Sequence, residues 1–180
     1  DKVYGKNIIK KDTTVKDRKT ASKEASQIIE DQLDAEPDKS TVKTNVSALL
    51  KKAPKQKFYT SIEPMLATLV DKPFDDDEWI YEVKWDGYRA VAFMNKGEVE
   101  LKSRNDKSFN DKFYPIHDEL KSLGIDAVLD GEVVVLGKGG TANFGSLQNW
   151  RSEADGDLVY YVFDILWYDG KDLRDLPLLD

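Results

Sequence analysis

The chain has 180 residues, 40% of them hydrophobic and 34% charged, which suits one ordinary domain or one domain and a tail. It has no cysteine and a single histidine, His117, which excludes disulfide scaffolds, thiolate metal clusters, cysteine nucleophiles and multi-histidine metal sites. The formal net charge of −7 is unevenly spread: residues 1–57 carry 14 Lys/Arg against 9 Asp/Glu, and residues 58–180 carry 13 against 25. No apolar run approaches the roughly 18 residues of a membrane span and no secretory leader is visible, so the expectation is a soluble intracellular protein. The first residue is Asp1 rather than Met, and the chain is read as a piece of something longer.

Residues 1–57 contain one aromatic residue, Tyr4, and are rich in Lys, Thr, Ser and Asp. Such a segment buries too little apolar surface to offset chain entropy, and it reads as a largely disordered basic linker. Ala25, Ile28, Ile29 and Leu33 make one short helical stripe, and Val46, Leu49 and Leu50 another; neither is long enough to be stable alone. The competing reading is a basic arm that touches nucleic-acid phosphates, weakened by the acidic residues among the lysines.

From Phe58 the pattern turns globular. Residues 79–84 (WIYEVK) and 88–94 (YRAVAFM) read as strands around a WDG turn, and 98–103 (EVELKS) as a third after NKG. Residues 79–103 are therefore expected as a three-strand antiparallel meander. In 112–123, Phe113, Ile116, Leu120 and Leu123 share a helical face, with Pro115 in the first turn and Gly124 as the stop. The runs 126–136 and 158–168 read as buried strands, the second ended by DG at 169–170, with a short helix near 144–150 between them. The fold class is α+β, built on a central antiparallel sheet.

Four segments carry candidate chemistry. Lys84 stands before a tight turn, followed by Asp86 and Arg89; a lysine nucleophile must lose its proton, and Trp85 and Tyr88 are expected to help desolvate it. Arg89 offers a planar fork for a phosphate or a ribose. Arg104, in SRN at 103–105, is a second phosphate candidate. Asp130 and Glu132 open a very hydrophobic strand on one face, where carboxylates can hold a hard cation or accept from ribose hydroxyls. In YYVFD at 160–164, alternation sets Tyr161 and Phe163 apart from Tyr160, Val162 and Asp164, and offers an aromatic to a purine ring. Taken singly, each segment has a bland reading as a surface turn, a solvated loop or core.

Together, "EPMLAT", "EVKWDGYRA", "SRN", "LDGEVVV", "ANFGSLQ" and "YYVFDILWYDGKDLRDLPL" resemble, in that order, the nucleotidyltransferase domain of ATP-dependent DNA ligases. The likeness is nearest to the ligase module of bacterial DNA ligase D, of non-homologous end joining. It runs from about Ser61 to Pro177, and the Lys-x-Asp-Gly-x-Arg motif falls on Lys84, Asp86, Gly87 and Arg89. The resemblance implies an antiparallel-sheet nucleotidyltransferase (ATP-grasp-like ligase) domain, in its N-terminal portion. It implies strand-break sealing in repair and recombination through a lysyl-AMP intermediate on Lys84. By the same resemblance Glu82 accepts from the adenine amino group, and Arg89 and Arg104 serve ribose or phosphate. Glu132 binds a ribose hydroxyl or helps hold metal, and Phe163 stacks on adenine. ATP and Mg²⁺ or Mn²⁺ are the implied cofactors. Nicked or broken double-stranded DNA and end-binding repair proteins are the implied partners, in a bacterial, nucleoid-associated cytoplasmic setting. The chain stops at LRDLPLLD, before the family's later Glu- and Lys-containing motifs, so weak or no activity is expected of it alone. RNA ligases and capping guanylyltransferases share the lysine motif and are the alternative, with a non-catalytic DNA- or partner-binding module as a third reading.

Overall fold

The computed structural model describes residues 39–137 and 139–178, and of residues 39–45 only the helical backbone. The chain divides into two compact units. Among the described residues, one takes in 39–48 and Ala67–Val83, and the other Leu49–Leu66 and those from Lys84 on. The stripe at Ala25–Leu33 and most of the expected linker lie outside the described residues. Its end is ordered: helix α1 spans Lys39–Lys52 and takes in the Val46, Leu49 and Leu50 stripe.

In the second unit, β1 (Tyr88–Asn95), β2 (Glu98–Ser103), β3 (Ala127–Leu136), β4 (Asp157–Tyr168) and β5 (Lys171–Asp172) form one antiparallel sheet in the order β2-β1-β3-β4-β5. Helices α2 (Tyr114–Ser122) and α3 (Phe144–Asn149) pack on one face. There Ala90, Ala92, Met94, Leu101, Leu129, Val133 and Val135 meet Phe113, Ile116, Leu120, Leu147 and Trp150. The other face buries Val91, Phe93, Val128, Leu166 and Trp167 under Phe58, Tyr59 and Ile62. Strand β1 is central and buried on both faces, as its near-continuous apolar run requires. Lys96 (φ 53°) and Gly97 (φ 80°) both take the left-handed conformation of a two-residue hairpin turn.

The expected meander is corrected. Residues 79–84 form no strand, because both edges of β1 are taken, by β2 and by β3, which arrives some thirty residues later. A period-two pattern makes a strand only where a ladder partner is free. Instead Trp79 N–H donates to the Asp76 carbonyl, Phe74 packs edge-on against Trp79, and the Tyr81 hydroxyl donates to the Phe74 carbonyl. Leu123 also differs: helix α2 tightens at its last turn, with Leu123 N–H on the Leu120 carbonyl, and leaves Leu123 exposed.

Residues 53–59 are tied to the far end of the sheet. Gln56 N–H donates to the Gly170 carbonyl, Asp172 N–H to the Pro54 carbonyl, and the Trp167 indole to the Gln56 carbonyl. The Tyr59 hydroxyl and the Arg174 guanidinium both donate to Asp172. On the opposite edge, the Asn110 side chain takes Leu101 N–H and donates to the Val99 carbonyl, standing in for a strand against β2.

Candidate functional site

The segment leading into β1 runs extended over β3 and β4, and alternate residues along it are anchored. Trp85 stacks flat on Tyr161, with centroids 3.8 Å apart and planes 3° from parallel. Gly87 N–H donates to Glu132 Oε1 at 3.1 Å. Arg89 closes a two-pronged pair on Asp130, Nε to Oδ1 at 2.7 Å and Nη2 to Oδ2 at 2.5 Å. The Arg89 guanidinium also lies 4.9 Å from the Phe163 ring centroid. Lys84 and Asp86, the residues between and before these anchors, are exposed. Gly87 is obligatory at its place: a Cβ there would fall 2.1 Å from the Val133 carbonyl oxygen.

The register of the sheet explains this convergence. Arg89 pairs with Glu132 across β1 and β3, and Glu132 with Tyr161 across β3 and β4. Between Asp130↔Asp164 and Gly131↔Val162 the ladder skips Phe163, a bulge that strict alternation does not foresee. The bulge places Asp164 in register with Asp130 instead of grouping it with Tyr160 and Val162. Tyr160 lies on the helix-covered face, its hydroxyl donating to the Ala90 and Leu129 carbonyls. Burial pushes its phenol far above the ordinary range. Burial also raises the Glu132 carboxyl above its usual value, opposed by the Gly87 amide and by the positive charges of Arg89 and Lys84.

A family model described as "ATP dependent DNA ligase domain" matches residues 64–180. The chain belongs to the ATP-dependent DNA ligase domain family. It is 40% identical over 119 residues to the multifunctional non-homologous end joining protein LigD of Pseudomonas aeruginosa, covering 65% of this chain and 14% of that protein. It is 32% identical over 123 residues to the SPbeta prophage-derived DNA ligase-like protein LigB of Bacillus subtilis, covering 66% and 44%. Among solved structures it is similar to the ligase domain of Mycobacterium tuberculosis LigD, at 32% identity and a TM-score of 0.48, over 54% of this chain and 32% of that one. A mycobacterial DNA ligase D complexed with ATP and MES matches at 33% identity and a TM-score of 0.48, over the same shares. The chain thus spans about a seventh of the LigD proteins it matches.

Within this ligase domain, Lys84, Arg89, Glu132 and Phe163 lie in one unit: Lys84 in the segment before β1, Arg89 near the start of β1, and Glu132 and Phe163 midway along β3 and β4. Arg104 is exposed in the turn that follows Ser103, the register partner of Ala90, so it stands beside the start of β1. Glu82 falls in the other unit. Two expectations are corrected. Trp85 and Tyr88 do not wrap Lys84: Trp85 turns to Tyr161, and Tyr88 packs on the opposite face against Phe109 and Phe144. The Arg89 fork, expected to await a phosphate or ribose, is engaged by Asp130, which is 3% exposed. Sequence reasoning paired Asp130 with Glu132 for a cation and missed this role. The sequence offers only two carboxylates two residues apart in a very hydrophobic run; the pairing of β1 with β3, which sets Arg89 opposite Glu132 and diagonal to Asp130, supplies the rest.

A resident metal does not fit these residues. Among the described residues no three His, Asp or Glu side chains converge. Both Asp130 oxygens accept from Arg89, and one Glu132 oxygen is taken by the Gly87 amide. No helix among the described residues is long and apolar enough to cross a membrane.

Proposed function

We propose that this chain is the adenylating part of a DNA ligase, in which Lys84 Nζ attacks the α-phosphorus of ATP. The neutral amine forms the N–P bond as the bond to pyrophosphate breaks, and its proton passes to solvent, leaving AMP on Lys84 as a phosphoramidate. The observation that carries this reading is the Lys84-x-Asp86-Gly87-x-Arg89 run, in which Gly87 and Arg89 are held on the sheet and Lys84 is presented to solvent. Phosphoryl transfer depends on positioning and charge stabilisation more than on acids and bases, which suits a site with neither thiol nor imidazole.

Phe163 offers its ring to the adenine. Glu132, with one oxygen occupied by the Gly87 amide, offers the other to a ribose hydroxyl. Arg104, and Arg89 on exchange of its Asp130 partner, meet ribose or phosphate. Mg²⁺ or Mn²⁺ reaches the site carried on the triphosphate, and no step is assigned to it. The substrate is nicked or broken DNA, in end joining with end-binding proteins, in the bacterial nucleoid. The acidic balance of residues 58–180 leaves DNA phosphate contact to the basic N-terminal residues and to the rest of the parent enzyme.

Incubation with α-labelled ATP and Mg²⁺, followed by peptide mass spectrometry, tests the reading. The expected product is an AMP adduct on Lys84, absent from Lys84→Ala and not competed by GTP. A GTP-derived adduct would assign the chain to capping chemistry instead. No adduct on Lys84, in this chain or in its parent, would refute the proposal.

A further inference from the structure

We infer that the Trp85–Tyr161 stack is the positioning device for the nucleophile, an inference that rests on the adenylation reading of Lys84. Three anchors hold this segment, at residues 85, 87 and 89, and Trp85 is the one beside Lys84. Its partner is not an arbitrary aromatic. Tyr161 is the register partner of Glu132, the residue that holds Gly87. One cross-strand pair, Glu132–Tyr161, therefore grips the turn twice, once by its carboxylate and once by its ring.

The stack is the softest of the three anchors. Gly87 is pressed against the Val133 carbonyl and hydrogen-bonded, and Arg89 is forked on a buried carboxylate. Among the described residues, Trp85 is held by its ring contact with Tyr161. Without the stack, the anchor nearest to Lys84 becomes Gly87, three residues away instead of one. At about 3.3 Å per extended residue, the amine gains roughly 7 Å of free tether. A reacting atom misplaced by about 1 Å already costs on the order of a hundredfold in rate. The flat, parallel overlap also explains a tryptophan here: its ring covers the Tyr161 ring while its backbone continues into the Gly87 contact. Tyr161 thereby serves the lysine, and Phe163, freed by the bulge, is the ring left for a base.

Amide hydrogen exchange on the 180-residue chain tests the clamp without reference to ATP, and adenylation tests its consequence. In Trp85→Ala, exchange at the Gly87 amide, which Glu132 holds, is expected to rise about threefold to tenfold, the worth of an aromatic pair. Exchange at Ala90–Met94 should stay unchanged. The single-turnover rate of Lys84 adenylation should fall by about tenfold to a hundredfold with the KM for ATP within threefold. Trp85→Phe and Tyr161→Phe, which keep a stacked pair, should recover most of both signals. Unchanged exchange at Gly87 in Trp85→Ala would overturn the inference, as would equal loss in Trp85→Phe and Trp85→Ala. If neither the unsubstituted chain nor its parent forms an adduct, the adenylation reading fails and the inference with it. If either forms one and only the variants behave alike, the inference alone fails.

Discussion

Replacing Gly87 by alanine isolates the close approach on which the site is built. The backbone there needs no left-handed conformation, so the cost is purely steric. The added Cβ would lie 2.1 Å from the Val133 carbonyl oxygen and 2.8 Å from Val134 Cγ1. The first is backbone of a central strand and has no rotamer to relieve it. The turn itself must therefore retreat, by about 1 Å, before ordinary contact is restored. That displacement carries the 3.1 Å bond from Gly87 N–H to Glu132 beyond hydrogen-bond range and leaves a half-buried carboxylate without this donor. Overpacking costs about 1–3 kcal/mol and the lost bond to a charged acceptor about 1–3 kcal/mol, so a combined loss of roughly 2–6 kcal/mol is expected. Urea unfolding of Gly87→Ala against the parent chain measures it. Gly97→Ala is the control: its φ of 80° makes alanine strained, but nothing lies within 4 Å of the added atom. It should cost only about 1 kcal/mol and leave the site untouched. A Gly87→Ala variant within about 0.5 kcal/mol of the parent would show that the turn does not depend on contact with β3.

Two further predictions concern pH, with opposite signs. Glu132 is raised by burial, so its contribution favours the fold below pH about 4.5 and is lost as pH climbs through the raised native value. Glu132→Gln should flatten that part of the stability profile in urea melts from pH 4 to 8, while reducing adenylation; an unchanged profile would contradict the assigned burial cost. Asp172 is lowered, chiefly by its bond from Arg174 and then by that from Tyr59. Its contribution is present above pH about 4 and lost as the medium becomes more acidic. Asp172→Asn should therefore lose stability at neutral pH and be less acid-sensitive than the parent. It should also speed amide exchange at Gln56, whose strap the Tyr59–Asp172–Arg174 cluster secures. Exchange at Gln56 identical to the parent would remove the cluster from that role.

The elements most readable in the sequence were those with a local cause. The NKG hairpin turn, the Pro115-led helix and the apolar runs of β3 and β4 announce themselves by turn chemistry, capping and hydropathy. The lysine motif was readable because its spacing is short and its residues are chemically distinctive. What stayed hidden was non-local. Residues 79–84 carry strand composition, yet β1 takes its second partner from a strand some thirty residues on. The Asp130 fork depends on which strand neighbours β1, and the Ala53–Tyr59 strap on where β5 returns. A low-aromatic segment reads as linker until the groups that bind it are placed.

Phe163 illustrates the point and supplies the last test. Alternation alone put it with Tyr161, but the bulge gives it a separate setting, half-buried beneath the Arg89 guanidinium at 4.9 Å. Phe163→Leu removes that cation–π contact, worth about 0.5–1 kcal/mol at a partly exposed site, and leaves the Arg89–Asp130 fork in place. Thermal unfolding should therefore move by only a few degrees. Stacking on a base is worth about 1–3 kcal/mol, so a ring that carries adenine should raise the KM for ATP by roughly fivefold to a hundredfold when lost. Phe163→Tyr, which keeps the ring, should restore the parent value. The two readouts separate the roles: a lower melting point with an unchanged KM makes Phe163 a support for Arg89. A raised KM with a nearly unchanged melting point, restored by Phe163→Tyr, makes it the base platform.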